Sequence, residues 1–199
     1  MSYSSTSWTT DGLTQAGSSG TTTMGGITLY ADFSIGYAES TSFTAGYHEA
    51  LTFQSANYGT NNFNPHFGND PDPETSFTTS TSTGKKAAGL VPCLWYVPNN
   101  ITIDAVYSLE GADAATGDTT RMHLMSYTFT SGSTSALTSG TLLAHNSDVT
   151  NDGNEQAYLS TWTVDSASVA AGKVIVATFE CDTANSDYSL NVKVKYHLS

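Results

Sequence analysis

The stretch from Tyr188 to Leu198 constrains this chain more than any other. Tyr188, Leu190, Val192, Val194, Tyr196 and Leu198 alternate without a break against Ser189, Asn191, Lys193, Lys195 and His197. Successive side chains of a strand point to opposite faces, so this period of two predicts a strand with one buried and one wet face. Four earlier runs carry the same signal. Ile101, Ile103, Ala105, Tyr107 and Leu109 are expected on one face, with Thr102, Asp104 and Ser108 opposite. Met125, Tyr127 and Phe129 alternate with Ser126, Thr128 and Thr130; Tyr158, Trp162 and Val164 share a face around the small Ser160. Ile175, Ala177, Phe179 and Cys181 lie on one side of the last of these. Turn residues separate the runs, at Gly111 through Asp118, Ser131-Gly132, Asn151-Asp152-Gly153 and Ala171-Gly172.

Composition agrees. Only 12% of residues are charged, half the usual share of about 25%. Ser, Thr and 17 Gly supply the polarity instead, and Thr, Val, Ile, Tyr, Phe and Trp favour a pleated, half-buried surface. The expected fold class is all-β. With no amphipathic helix between the runs, it is an antiparallel β-sandwich; about seven or eight strands after residue 87 are expected, enough for a jelly roll.

Four zones divide the chain. Residues 1–26 are Ser, Thr and Gly with Trp8 and Leu13 as exceptions; such a segment cannot bury enough surface to fold alone and reads as an extended N-terminal arm, ordered by a neighbour. Residues 27–67 recover strand character as additional strands, with period-two alternation from Ile27 to Phe33 followed by Phe43, Tyr47, Leu51 and Phe53. Residues 68–86 are linker-like, because Asp70-Pro71-Asp72-Pro73 blocks regular structure and a Ser/Thr run follows. Residues 87–199 hold the jelly-roll β-sandwich.

The formal charge of −12, from six Lys plus Arg against 18 Asp plus Glu, excludes an extended basic patch. No nucleic-acid partner and no anionic membrane surface is expected, since Lys85-Lys86 is the one adjacent basic pair. No run approaches the ~20 apolar residues of a membrane span. After Met1 neither a basic start nor an apolar run follows, so no signal peptide is expected. Two cysteines, Cys93 and Cys181, are too few for a disulfide framework and are expected as free thiols in a reducing cytoplasm.

No motif for catalysis stands out: no G-x-S-x-G elbow, no phosphate-binding loop and no H-E-x-x-H. The five histidines (His48, His66, His123, His145, His197) are scattered singly and read as surface or structural residues. The acidic residues Asp70, Asp72, Glu74, Asp113, Asp118, Asp148, Asp152 and Glu155 fall in turns, where Asp has a local hydrogen-bonding use. The segment Asp148 to Glu155 partly fits a calcium loop, with Gly153 in the sixth position. It departs at the third, Thr150, and at the twelfth, where Leu159 stands in place of a bidentate Glu, so a plain hairpin loop is the better reading. No catalytic, metal or cofactor residue is therefore expected, and the chain reads as no enzyme.

From Trp95-Tyr96-Val97-Pro98-Asn99-Asn100-Ile101-Thr102-Ile103 to the end, the chain resembles jelly-roll proteins of tailed, especially marine, bacteriophages. The likeness lies in a Val-Pro-Asn-Asn step into a strand, a corner from Ser168 to Val176, and an Asn/Asp turn opening a terminal strand, Asp187-Tyr188 to Leu198. It covers a little over half the chain, is one of pattern, and is absent from residues 1–86. The resemblance implies a virion component made in the host cytoplasm: a head-decoration (cement), head-fibre or tail-fibre protein, often trimeric, bound to other copies of itself and to capsid or tail proteins. An alternative is a tail-associated module binding host surface glycan, with Trp8, Tyr58, Phe63, Phe67 and Trp95 as ring-stacking candidates, although these can equally fill a core.

Overall fold

The alternating runs become the long strands of two facing antiparallel sheets. A computed structural model describes residues 27–38, 43–54, 65–81, 85–113, 117–152, 154–183 and 187–199, with the backbone of 9–10, 13–16 and 21–23. Within the arm, β1 (Thr9–Thr10), β2 (Leu13–Ala16) and β3 (Thr21–Thr23) pair as a small antiparallel sheet. Next come β4 (Leu29–Ala38), β5 (Glu49–Ala50), β6 (Thr52–Phe53) and β7 (Phe77–Thr78). A single helical turn, α1 (Ala87–Leu90), and a 3-10 turn (Val91–Cys93) lead to β8 (Trp95–Tyr96), β9 (Ile101–Ala112), β10 (Thr119–Phe129) and β11 (Ser135–His145). The chain closes with β12 (Val149–Thr150), β13 (Gln156–Thr161), β14 (Thr163–Val164), β15 (Ser168–Val169), β16 (Lys173–Cys181) and β17 (Tyr188–Leu198).

One sheet runs β13-β9-β17-β4-β6, with β15 also on β9; the other runs β14-β11-β10-β16-β5, with β12, β7 and β8 attached at its margins. The fold is thus all-β and antiparallel, in a sandwich-like arrangement. β4 pairs with the terminal strand from Tyr188↔Ala38 to Tyr196↔Leu29. The strands of residues 27–67 therefore belong to the same two sheets as residues 87–199.

Between the sheets lies the larger core. The expected faces of β16 (Ile175, Ala177, Phe179, Cys181) and β17 (Tyr188 to Leu198) both point into it. Aromatic groups close its two ends. Phe43, Phe179 and Tyr188 meet with ring centroids 5.0 to 5.9 Å apart. At the other end Trp95 stacks on Phe53 at 5.7 Å and meets Tyr196 at 4.9 Å.

Two expectations fail for identifiable reasons. Lys195 pairs with Ala105 while Tyr196 pairs with Ile103, so Asp104 is an extra residue in β9. A one-residue bulge moves every later side chain to the opposite face. Ile101 and Ile103 point inward as expected, but beyond the bulge Val106, Ser108, Glu110 and Ala112 are buried, while Tyr107 and Leu109 turn to solvent.

The second failure concerns β10, expected to have a wet face. Met122 and Leu124 face the main core, and Met125 and Tyr127 face a second one on the other side of the sheet. Phe67 at the end of the additional strands, Phe77 of the linker-like segment, and Leu90 and Cys93 of the helical turns cover that side, packing against Met125, Tyr127, Val174 and Val176. The Tyr127 hydroxyl donates to the Glu74 carbonyl at 2.8 Å. Phe129, expected with Met125 and Tyr127, lies past this cover and is exposed.

Gly140 shows how close the covering strap sits. Its N–H donates to the Thr75 carbonyl at 2.8 Å. An added Cβ would lie 2.7 Å from both Thr75 Cα and Tyr127 Cε1. Because one of those atoms is backbone, relief requires moving the strap. Gly140→Ala is expected to destabilise by about 1–3 kcal/mol, the range for overpacking, measured as a lower urea midpoint. An unchanged midpoint would show that the strap is not held this tightly.

Candidate functional site

Residues far apart in sequence meet at the polar end of the covered sheet face. Arg121 and His123 project from β10, and Glu180 from β16, where the register sets Arg121 opposite Glu180 and His123 opposite Thr178. β5 brings His48 beside them. It is aligned by Thr178↔Ala50 and Phe179↔Glu49 and preceded by a turn at Gly46, whose φ of 72° favours glycine. The His48 and His123 rings meet edge to face at 4.9 Å, and His145 stacks on His123 at 6.4 Å.

The strap fastens onto this group. The His48 N–H donates to the Gly68 carbonyl at 3.0 Å, and the Phe67 N–H returns a bond to the His48 carbonyl at 2.7 Å. His48 Nε2 lies 2.7 Å from the Asp70 carbonyl, so that nitrogen carries the proton and donates. Glu180 Oε2 is 3.6 Å from the same nitrogen. Arg121 holds a ring of carboxylates, with Asp182 at 2.9 Å, Asp148 at 3.1 Å and Glu180 at 3.5 Å.

Burial pushes the His123 imidazole down to about 3, helped by the neighbouring His48, His145 and Arg121. Asp72 lies 3.5 Å from its Nε2, but that carboxylate is 69% exposed, so water screens it and burial prevails. His123 is therefore neutral, and its buried Nδ1 has no hydrogen-bond partner among the described residues. Among the described residues, no three His, Cys, Asp or Glu side chains converge so as to hold a metal ion. The cluster thus draws one guanidinium, two imidazoles and three carboxylates together at the margin of the covered face.

A second polar group sits inside the main core. The bulge turns Glu110 inward, where both its oxygens accept from Thr120 Oγ1, at 2.8 and 3.1 Å. Asp118 is buried beside it, accepting from Tyr188 Oη and, at 2.8 Å, from the Thr183 N–H. Burial pushes the Glu110 carboxyl up to about 7; the Thr120 bond opposes this and the Asp118 charge adds to it. A buried carboxyl with a raised pKa beside a second carboxylate can suggest acid–base chemistry. Here they are 3% and 1% exposed, and their bonds to Thr120, Thr183 and Tyr188 make them a buried polar strut joining β9, β10 and β17.

No family model matches the chain, and no curated protein and no solved structure matches it.

The other residues singled out from sequence are spent locally. Asp152 accepts from Asn154 and from Gln156 Nε2 at 3.0 Å, and Asp148 is engaged by Arg121, so these two carboxylates have separate partners. Gly153 lies outside the described residues. Asp113 Oδ1 accepts from the Asp187 N–H at 2.9 Å, and Glu74 pairs with Lys85 at 2.8 Å. His145 meets Asp165 at 2.8 Å and His197 meets Asp104 at 2.9 Å, while the His66 ring packs on Tyr47 at 4.8 Å. Of the stacking candidates, Phe67 and Trp95 fill cores, and Trp8, Tyr58 and Phe63 lie outside the described residues.

Both cysteines are buried, Cys93 in the outer core and Cys181 in the main one. Burial, with the charges of Asp118, Glu49, Glu180 and Asp182, pushes the Cys181 thiol up to about 12. Since the thiolate is the reactive form, neither thiol is expected to react with a thiol reagent at pH 8 in the native protein. Both should react after unfolding; rapid native labelling would contradict this burial.

Proposed function

We propose that the chain is a non-enzymatic virion structural protein of a tailed bacteriophage. It is a capsid-decoration or fibre component that associates with copies of itself, as a trimer, and binds a capsid or tail protein. The observation that carries this reading is the strand order. Numbering the principal strands β4, β5, β9, β10, β11, β13, β16 and β17 from first to eighth, one sheet runs 1-8-3-6 and the other 2-7-4-5. We read this order as the winding of a jelly roll, a fold used by viral capsid domains and also by lectins. Fold alone does not decide between such uses.

The residue pattern from Trp95 to Leu198 adds the phage resemblance. Glu110 and Asp118 are held by Thr120, Tyr188 and the Thr183 N–H of the sheets themselves, which supports a structural part for that buried group. A host-glycan module loses two of its stacking candidates to the cores, Phe67 and Trp95. Imaging intact particles with a label on this protein tests the proposal. Label over the head or along fibres is expected. Label at the tail tip alone, with host adsorption by the isolated protein, favours the glycan-binding module; unlabelled particles overturn both.

A further inference from the structure

The two sheets treat their outer faces differently. The β11-β10-β16-β5 face is covered by the chain itself, through Phe67, Phe77 and Leu90. On the β13-β9-β17-β4 sheet, large apolar side chains stand in solvent: Leu159 is 73% exposed, Leu109 56% and Tyr30 54%. Register makes them one patch. Leu159 pairs with Leu109, Tyr107 lies two residues along the same strand, and Lys193 bridges Tyr107 to the strand of Tyr30. The bulge at Asp104 is what turns Tyr107 and Leu109 outward, so a specific irregularity of the backbone creates the patch.

Charge says what can cover it. The outward charges of this face are Asp32 and Asp104 against Lys193 and Lys195, with His197 beside Asp104. Lys193 reaches Asp32 at 2.6 Å. The face is thus balanced, and the whole formal charge of −12 lies elsewhere in the chain. Copies of so acidic a protein repel one another over most of their surface. A balanced, apolar face is where that repulsion is least and where burial gains most. Its size is adequate. The 6, 12, 11 and 10 residues of β13, β9, β17 and β4, at a rise of about 3.3 Å and a spacing of about 4.8 Å, give about 620 Å2. Stable interfaces bury about 600–1,000 Å2 on each partner.

We propose that this face, anchored by Leu109 and Leu159, is the surface through which the chain binds a second copy of itself. This rests on the self-association put forward above and specifies where it occurs.

The test is the mass of the full chain in solution, by sedimentation equilibrium across a concentration series. Leu109→Glu with Leu159→Glu, and separately Leu109→Thr with Leu159→Thr, alter only outward side chains, and Thr keeps strand propensity. Val91→Glu with Tyr96→Glu, exposed residues away from this face, is the control. The wild type and the control are expected as oligomers. Both Leu109/Leu159 pairs should associate at least about tenfold more weakly with unchanged circular dichroism. A wild type that stays monomeric overturns self-association itself. An oligomer that persists in both pairs overturns this face alone. If only deletion of residues 1–26 dissociates it, the arm is the contact and this face is not.

Discussion

Replacing Glu110 with Gln is expected to stabilise the protein by about 3 kcal/mol at pH 8 and to leave it nearly unchanged at pH 4.5. The carboxyl titrates at about 7 in the fold against 4.5 in a solvated chain, chiefly through burial. A raised carboxyl pKa means the fold favours the protonated acid. Between pH 4.5 and 7 the native state keeps a proton that the unfolded chain gives up. The contribution is fully present below 4.5 and declines as pH rises to 7, by about 1.4 kcal/mol per pH unit. Gln is neutral throughout, and its amide oxygen can still accept from Thr120. At about 2–4 °C per kcal/mol for a chain of this size, thermal unfolding at pH 8 should rise by about 6–12 °C. A variant less stable than wild type at both pH values would show that the ionised carboxylate supports the strut.

Replacing His123 with Phe should have the opposite pH signature. His123 titrates at about 3 in the fold against 6.5 outside it, through burial and then the neighbouring His48, His145 and Arg121. Between pH 6.5 and 3 the unfolded chain binds a proton that the native state does not. The stability tied to the neutral ring is complete above 6.5 and falls as pH drops, by up to about 5 kcal/mol at pH 3. A Phe ring keeps the aromatic contacts and removes the titration, so the variant should resist acid better than wild type.

The two groups oppose each other. From pH 4.5 to 6.5 one proton is favoured by the fold at Glu110 and one is disfavoured at His123, so their contributions offset. As far as these two groups go, wild-type stability should be level across that window. Glu110→Gln should grow more stable with rising pH there, and His123→Phe less stable. Urea midpoints at half-unit pH steps read all three slopes. Parallel curves for wild type and both variants would contradict this assignment of the two protons.

The sandwich could be read in the sequence where a strand faces water on one side. The terminal strand shows this best, since Tyr188 through Leu198 needs only the pleat to explain it. β16 reads as one-sided from Ile175, Ala177, Phe179 and Cys181, although Val174-Ile175-Val176-Ala177 is continuously apolar, as in strands covered on both faces. What should cover the second face was hidden, because Phe67 and Phe77 sit singly in a segment of Pro, Asp, Ser and Thr. The bulge had no local signal. Alternation in Tyr107-Ser108-Leu109-Glu110 points Tyr107 and Leu109 inward, and only pairing across β17 reveals the bulge that reverses it. The meeting of His48, His123 and His145 depends on sheet register between strands distant in sequence, which no spacing of single histidines reveals.

The central claim is membership of the virion, and the most direct measurement is quantitative mass spectrometry of purified particles. The protein is expected at a fixed ratio to the major shell or fibre protein, retained through density-gradient purification. Its absence from particles, with the protein recovered only from the soluble fraction of lysed host cells, would contradict the account.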